Sequence, residues 1–208
     1  MTAAPTHRRV VLATRNAHKV AELRVILADV CDALQLEIVG LDDYPDAPDV
    51  VEDGVTFEEN ALLKAVSAAE FTGLPALADD SGISVDVLGG APGIFSARWS
   101  GGRGDRANLE LLLAQLAEVR DEHRAAAFVC AAALALPDGT REVELGRLPG
   151  TVAREPRGAG GFGYDPVFRP DGSQRTLAEY AAEEKNGMSH RALAFRALAP
   201  RIEEHLRP

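Results

Sequence analysis

Apolar positions along the chain alternate between short runs and helical spacing, and each change of pattern marks an element. Val10 to Ala13 is a short apolar run ahead of Thr14, which predicts a buried strand. Val20, Leu23, Ile26, Leu27 and Val30 then recur at the spacing of one helical face, with Asn16 placed as the N-cap. Thr56 followed by Glu59 has the capping-box pattern and predicts a helix to about Phe71. Leu74 to Ala78 predicts a strand ending at Asp79-Asp80-Ser81-Gly82, and Ile83, Val85 and Val87, alternating with Ser84 and Asp86, predict another. Asp105 caps a helix whose stripe is Leu109, Leu112, Leu113 and Leu116. Phe128 to Leu136 and Arg141 to Leu148, joined at Pro137-Asp138-Gly139, read as a hairpin. A Gly-rich loop follows from Pro149 to about Gln174. Thr176 with Glu179 opens a short helix that stops near Asn186-Gly187, and Ser189 caps a last helix that Pro200 should kink or interrupt.

Strands and helices alternate early and a hairpin comes late, so the pattern predicts an α/β fold with a mixed sheet. No Pro/Ser-rich linker and no internal repeat divides the sequence, and residues 1–208 read as one folding unit.

Composition narrows the partners. Lys+Arg 22 against Asp+Glu 32 gives a net charge of −10. Non-specific nucleic-acid binding draws on clustered cations, so no nucleic-acid partner is expected. A phosphate-bearing ligand must instead meet a local group of donors, or a metal. The apolar stretch from Ala125 to Leu136 is too short to span a bilayer as a helix, and the N-terminal segment has no apolar run of signal-peptide length. Cys31 and Cys130 lie far apart without metal-ligand spacing, and Cys130 sits in AAAFVCAAALAL, a setting for a buried thiol. No membrane association and a cytoplasmic location are expected.

Three segments carry candidate chemistry. Helix N-termini favour anions, yet Arg15, His18 and Lys19 open the first helix, and His190 and Arg191 follow Ser189 at the start of the last. Cations placed against the dipole twice, in so acidic a chain, suggest anion or acceptor sites; ordinary capping with solvated cations is the other reading. Asp79-Asp80-Ser81-Gly82 puts carboxylates where α/β sheets place ligands, and neighbours in extended chain point to opposite faces, so only one of the two would enter a given site. Such a carboxylate could hold Mg²⁺ or activate water; a plain Asx turn is the alternative. Gly158 to Gly163 formally matches G-x-G-x-x-G, but no helix can follow when Pro166 comes so soon, so a dinucleotide site is not supported. The segment reads instead as a flexible backbone presenting Phe162 for stacking, with Asp165 fixing the turn or meeting a ligand, or as a loop that plugs Phe162 into the core.

In this order the segments resemble the inosine triphosphate pyrophosphatase family. The resemblance runs through Thr14 to Lys19, Glu52 to Lys64 (EDGVTFEENALLK) and Ala78 to Gly82. It continues through Leu88 to Arg98, Gly160 to Pro166, Glu184-Lys185-Asn186 and Ser189-His190-Arg191. It implies an elongated mixed β-sheet flanked by helices, two lobes around a cleft, and a homodimer. It implies hydrolysis of purine nucleoside triphosphates such as ITP, dITP and XTP to the monophosphate and pyrophosphate, with Mg²⁺ as cofactor. By the same resemblance Thr14, Arg15, Asn16, Ala17, His18 and Lys19 grip the triphosphate. Glu52 and Asp80 form the Mg²⁺ pair, Asp80 is the general base, and Ser81 contacts substrate. Phe162, Gly163, Tyr164, Asp165, Lys185, His190 and Arg191 enclose the purine and ribose. Arg15 departs from the pattern, since that position is often glycine in the family. A nucleotide-binding regulator without turnover is the competing reading, against which Glu52 and Asp80 together argue.

Overall fold

Six strands form one sheet: β1 (Arg8–Leu12), β2 (Leu36–Gly40), β3 (Ala76–Val85), β4 (Ala125–Ala135), β5 (Arg141–Val152) and β6 (Phe168–Pro170). Their order is β2-β1-β3-β4-β5-β6 in this computed structural model, which describes residues 8–207. β1 pairs in parallel with both β2 and β3, in registers that set Val10 against Ile38 and Val11 against Ala76. β6 pairs antiparallel with β5. The sheet is therefore mixed, as expected. Its helices are α1 (Ala17–Ile26), α2 (Ala28–Leu34), α3 (Phe57–Thr72), α4 (Asp105–Gln115), α5 (Ala182–Met188) and α6 (His190–Leu206). The part of the N-terminal reading that concerns residues 1–7 falls outside the described residues.

The chain divides into two compact units. The first comprises residues 1–80, 131–145 and 194–208, and the second residues 81–130 and 146–193. In the first, alanines make the contact between helix and sheet. Ala61, Ala65, Ala68 and Ala69 of α3 pack with Ala76 and Ala78 of β3 and with Ala131, Ala133 and Ala135 of β4. Methyl-sized side chains let the helix backbone come close to the strands, and that closeness later decides where Asn60 and Lys64 reach. The second unit has larger side chains: Ile83, Val85, Leu112, Leu116, Val167 and Phe168 are all fully buried.

Several expectations need correction. The first predicted helix is two, broken at Leu27, although Val20, Leu23, Leu27 and Val30 are buried as the pattern required. β2 and β6 were not foreseen. Asp79-Asp80-Ser81-Gly82 does not end a strand: β3 runs straight through it, merging two predicted strands. Asp105 is the first residue of α4 and not its cap, which is Gly104. Thr176 and Glu179 do form a capping box, but it encloses only a 3-10 turn, Leu177–Glu179, and α5 begins afresh at Ala182. α6 continues through Pro200, which lies on the exposed side of the helix.

Candidate active site

In the first unit the strand β3 presents two carboxylates with different partners. Asp79 is buried, and its oxygens accept from the Lys19 ammonium at 3.1 and 3.2 Å. Asp80 accepts instead from Lys64 Nζ at 3.1 Å and from the Asn60 amide at 3.4 Å. Lys64 Nζ lies equally close to Glu52, at 3.0 Å. Asn60 and Lys64 stand one turn apart on α3, and the alanine face of that helix carries both to the strand. Asn60 is itself fixed, because its side-chain oxygen accepts from the Gly54 backbone N–H at 2.9 Å. The acidic loop is thereby tied to the helix at the point where Glu52 turns towards Lys64.

The charges in this group perturb one another. Burial pushes the Asp80 carboxyl above the usual carboxylate range; the Lys64 ammonium pulls it back, and Glu52 adds to the rise. Burial also disfavours the Lys64 ammonium, but Asp80, Asp79 and Glu52 together outweigh it and hold Lys64 above its ordinary value. Among the described residues no cluster of three or more His, Cys, Asp or Glu side chains converges as a metal site. Two carboxylates meeting at one cation are nonetheless what a divalent ion of the Mg²⁺ type takes from a protein when phosphates and water complete its shell. Here the Lys64 ammonium is that cation. The donor set fits Mg²⁺ held by Glu52 and Asp80.

The loop from Thr14 to Lys19 joins β1 to α1. Asn16 caps the helix, its side chain accepting from the His18 and Lys19 N–H groups at 2.9 and 3.3 Å. Ala17 and His18 are exposed on the first turn. Thr14 accepts from the Asn16 N–H through its hydroxyl. Arg15, the departure from the family pattern, donates to the Ala47 carbonyl at 2.8 Å and lies 3.9 Å from Asp49, so it clasps the acidic loop. A cavity of about 310 Å³ opens here, lined among others by Thr14, Arg15, Asp49, Glu52, Lys64 and Ser67. Thr14 and Arg15 thus share one hollow with Glu52 and Lys64.

In the second unit the Gly-rich segment is a tight loop, followed by the 3-10 turn Asp165–Val167 and not by a helix, which removes the dinucleotide reading. Asp165 organises it. This buried carboxylate accepts from the Phe162 N–H at 2.9 Å and from Lys185 Nζ at 2.5 Å. A side chain at Gly161 would meet the Asp165 carboxylate, and its φ of 71° also favours glycine. Phe162 is 61% exposed, with Lys185 Nζ 5.0 Å from its ring centroid. It does not plug the core. It is an exposed aromatic ring with a cation over one face.

The remaining residues fall less simply. Tyr164 turns inward, its hydroxyl donating to the Ser96 carbonyl at 2.8 Å, and burial pushes its phenol well above the usual range. Its side chain packs inward in this structure. Gly163 offers only backbone, and its N–H is taken by Asp105 at 3.1 Å. His190 and Arg191 are both buried at the start of α6, where Ser189 accepts from the Ala192 N–H, and the His190 ring stacks on Phe128 at 4.8 Å. Ser81 is half-buried beside Gly82, a strand glycine forced by the Ser96 hydroxyl, which would collide with any Cβ there. The sequence reading missed Lys64 and Asn60 as site members. Their signal was available: a lysine and an asparagine one turn apart on a helix whose other spacings are alanine.

Residues 10–201 match the Ham1 family. The chain is 64% identical over 199 residues to the dITP/XTP pyrophosphatase of Streptomyces coelicolor, covering 95% of this chain and 98% of that protein. It is 56% identical over 201 residues to the dITP/XTP pyrophosphatase of Leifsonia xyli, covering 96% and 98%. Among solved structures, a HAM1 protein from Coxiella burnetii superposes with a TM-score of 0.86 at 40% identity, covering 95% of this chain and 99% of that one. The nucleoside-triphosphatase, or dITP/XTP pyrophosphatase, of Mycobacterium abscessus gives 0.77 at 48% identity, covering 93% and 99%. With the match spanning nearly the whole length, the chain belongs to the Ham1 family.

Proposed function

We propose that the protein hydrolyses non-standard purine nucleoside triphosphates (ITP, dITP and XTP) to the monophosphate and pyrophosphate, with Mg²⁺ as cofactor. The observation that carries the reading is the convergence of Glu52 and Asp80 on the Lys64 ammonium, with Glu52 and Lys64 lining a hollow shared with Thr14 and Arg15. The names of the relatives support the substrate class.

Asp80 is suited to take a proton from water. A positioned carboxylate of this kind can act as a general base. Asn60 and Lys64 hold it in one orientation through the contacts at 3.4 and 3.1 Å. Lys64, an ammonium beside this base, also offers its charge to phosphate oxygens. Bound at Glu52 and Asp80, Mg²⁺ would neutralise phosphate charge and orient the triphosphate. The exposed start of α1, with the Arg15 and His18 side chains, suits the remaining phosphates, Lys19 being paired with Asp79.

In the second unit, exposed Phe162 suits stacking on a purine, and Lys185 and Arg191 are donors without acceptor capacity. Hypoxanthine and xanthine carry an acceptor at the 6-position where adenine carries an amino group, so a lysine or arginine there favours the first two. The test is kcat/KM for pyrophosphate release from ITP, XTP, dITP, ATP and GTP, with Mg²⁺ and with chelator. Equal activity on ATP and ITP overturns the substrate class, and full activity in chelator overturns the cofactor. The reading includes a cytoplasmic homodimer, for which light scattering on the purified protein decides the assembly. No helix among the described residues is long and apolar enough to cross a membrane.

A further inference from the structure

A second hollow of about 380 Å³ lies in the second unit, and its walls are arginine-rich. Arg124, Arg154, Arg157 and Arg169 line it, against the two carboxylates of Asp121 and Glu155. In a chain of net charge −10 this local excess of positive charge runs against the whole. Both carboxylates are already engaged: Asp121 by Arg154 at 2.7 Å and Glu155 by Arg157 at 3.0 Å. Arg124 and Arg169 make no ion pair with them. Arg124 is 2% exposed, and its guanidinium donates to the carbonyls of Leu116, Val152 and Ala153 at 2.6 to 3.0 Å. It therefore contributes its charge to the wall while being held rigidly by dipoles alone. Burial, with Arg154 nearby, lowers its pKa, which is the mark of a positive charge short of counter-charge.

Arg169 is held more loosely, by the Thr151 hydroxyl at 3.3 and 3.4 Å, long contacts that an incoming acceptor can replace. Guanidinium groups present planar forks of N–H donors that match the oxygens of phosphate-type anions. We propose that this hollow is a binding site for a phosphate-type oxyanion, inorganic phosphate or pyrophosphate, with Arg169 and Arg157 as its principal donors and Arg124 as its fixed background charge. None of its lining residues belongs to the carboxylate–lysine group or to the Phe162 face. The anion would act on the base of the Gly-rich loop. Arg157 accepts from the Thr176 hydroxyl at 2.8 Å and donates its N–H to the Pro166 carbonyl at 2.8 Å, so both ends of the segment carrying Phe162 and Asp165 meet at this wall.

The test is calorimetric titration of the full chain with phosphate, pyrophosphate and inosine monophosphate, in chelator, for the parent, Arg169→Gln, Arg157→Gln and Lys19→Ala. Arg169 and Arg157 lie outside the proposed catalytic groups, and neither is fully buried, so both variants should fold. Saturable binding of an inorganic anion is expected. It should weaken about tenfold or more in Arg169→Gln and in Arg157→Gln, stay unchanged in Lys19→Ala, and leave initial rates on nucleotide in anion-free buffer unchanged. Binding of the monophosphate alone, lost in Arg169→Gln, would identify a phosphoryl group carried on a nucleotide as the source and keep the site. No saturable binding up to about 10 mM overturns the proposal. So does binding that Lys19→Ala abolishes and Arg169→Gln spares, since the anion would then occupy the first unit.

Discussion

Replacing Lys64 with glutamine removes the cation on which Glu52 and Asp80 converge. The contacts are 3.0 and 3.1 Å, so at an effective dielectric near 20 each has a gross attraction of about 5 kcal/mol. Desolvation offsets most of that, and breaking a buried pair typically costs about 3–5 kcal/mol. Glu52 is a third exposed and can regain water once the lysine is gone, which lowers the expectation to about 2–4 kcal/mol at pH 8. The pH dependence discriminates. Lys64 is the main influence pulling the Asp80 carboxyl down, so in the variant Asp80 rises further above the usual range. Between the unfolded and folded pKa values the native variant then binds more protons than its unfolded chain, and stability increases as pH falls through that window. The parent follows the same sign over a narrower window. Urea melts at about pH 8 and pH 5 should therefore show the gap between variant and parent closing on acidification. A gap of equal size at both values refutes the argument. So does a Lys64→Gln/Asp80→Asn double variant whose loss is the plain sum of the two single losses, because the pair would then be uncoupled.

Three further outcomes are expected. Asp80→Asn lowers turnover by roughly a hundredfold or more while circular dichroism shows a folded protein; near-parental turnover at saturating Mg²⁺ removes Asp80 as the base. Lys19→Ala loses about 1–3 kcal/mol, because it takes the ammonium from buried Asp79; a neutral or stabilising change in thermal melts, as relief of the helix dipole alone would give, refutes the pairing. Phe162→Ala changes stability by less than about 0.5 kcal/mol, since the ring is exposed, yet weakens nucleotide binding by about 1–3 kcal/mol in titration; a stability loss of core size assigns Phe162 to packing.

Where local chemistry is self-contained, the sequence by itself determined the result. Asn16 and Ser189 cap their helices, and Thr56 with Glu59 and Thr176 with Glu179 open turns, because each device depends on residues within one turn of one another. The α/β class with a mixed sheet, the helical stripes of α1 and α4 and the hairpin of β4 and β5 were legible for the same reason. β2 escaped because the stop signal before it is unusual: Gln35, not glycine, takes the left-handed conformation that ends α2. β3 was cut in two because Asp79-Asp80-Ser81-Gly82 reads locally as a turn. Only tertiary contacts make it a strand. Lys19 answers Asp79, Lys64 and Asn60 answer Asp80, and the Ser96 hydroxyl packs on Gly82 and accepts from the Ile83 N–H at 2.9 Å. The site shows the same division. The residue types marked candidates for phosphate- and metal-type chemistry, but Lys64 joins Glu52 to Asp80 only because the alanine face of α3 lets the helix lie close against β3. The inward turn of Tyr164 was not legible, because one residue's direction in a Gly-rich loop is set by what it packs against, here the Ser96 carbonyl, and not by its neighbours in the chain.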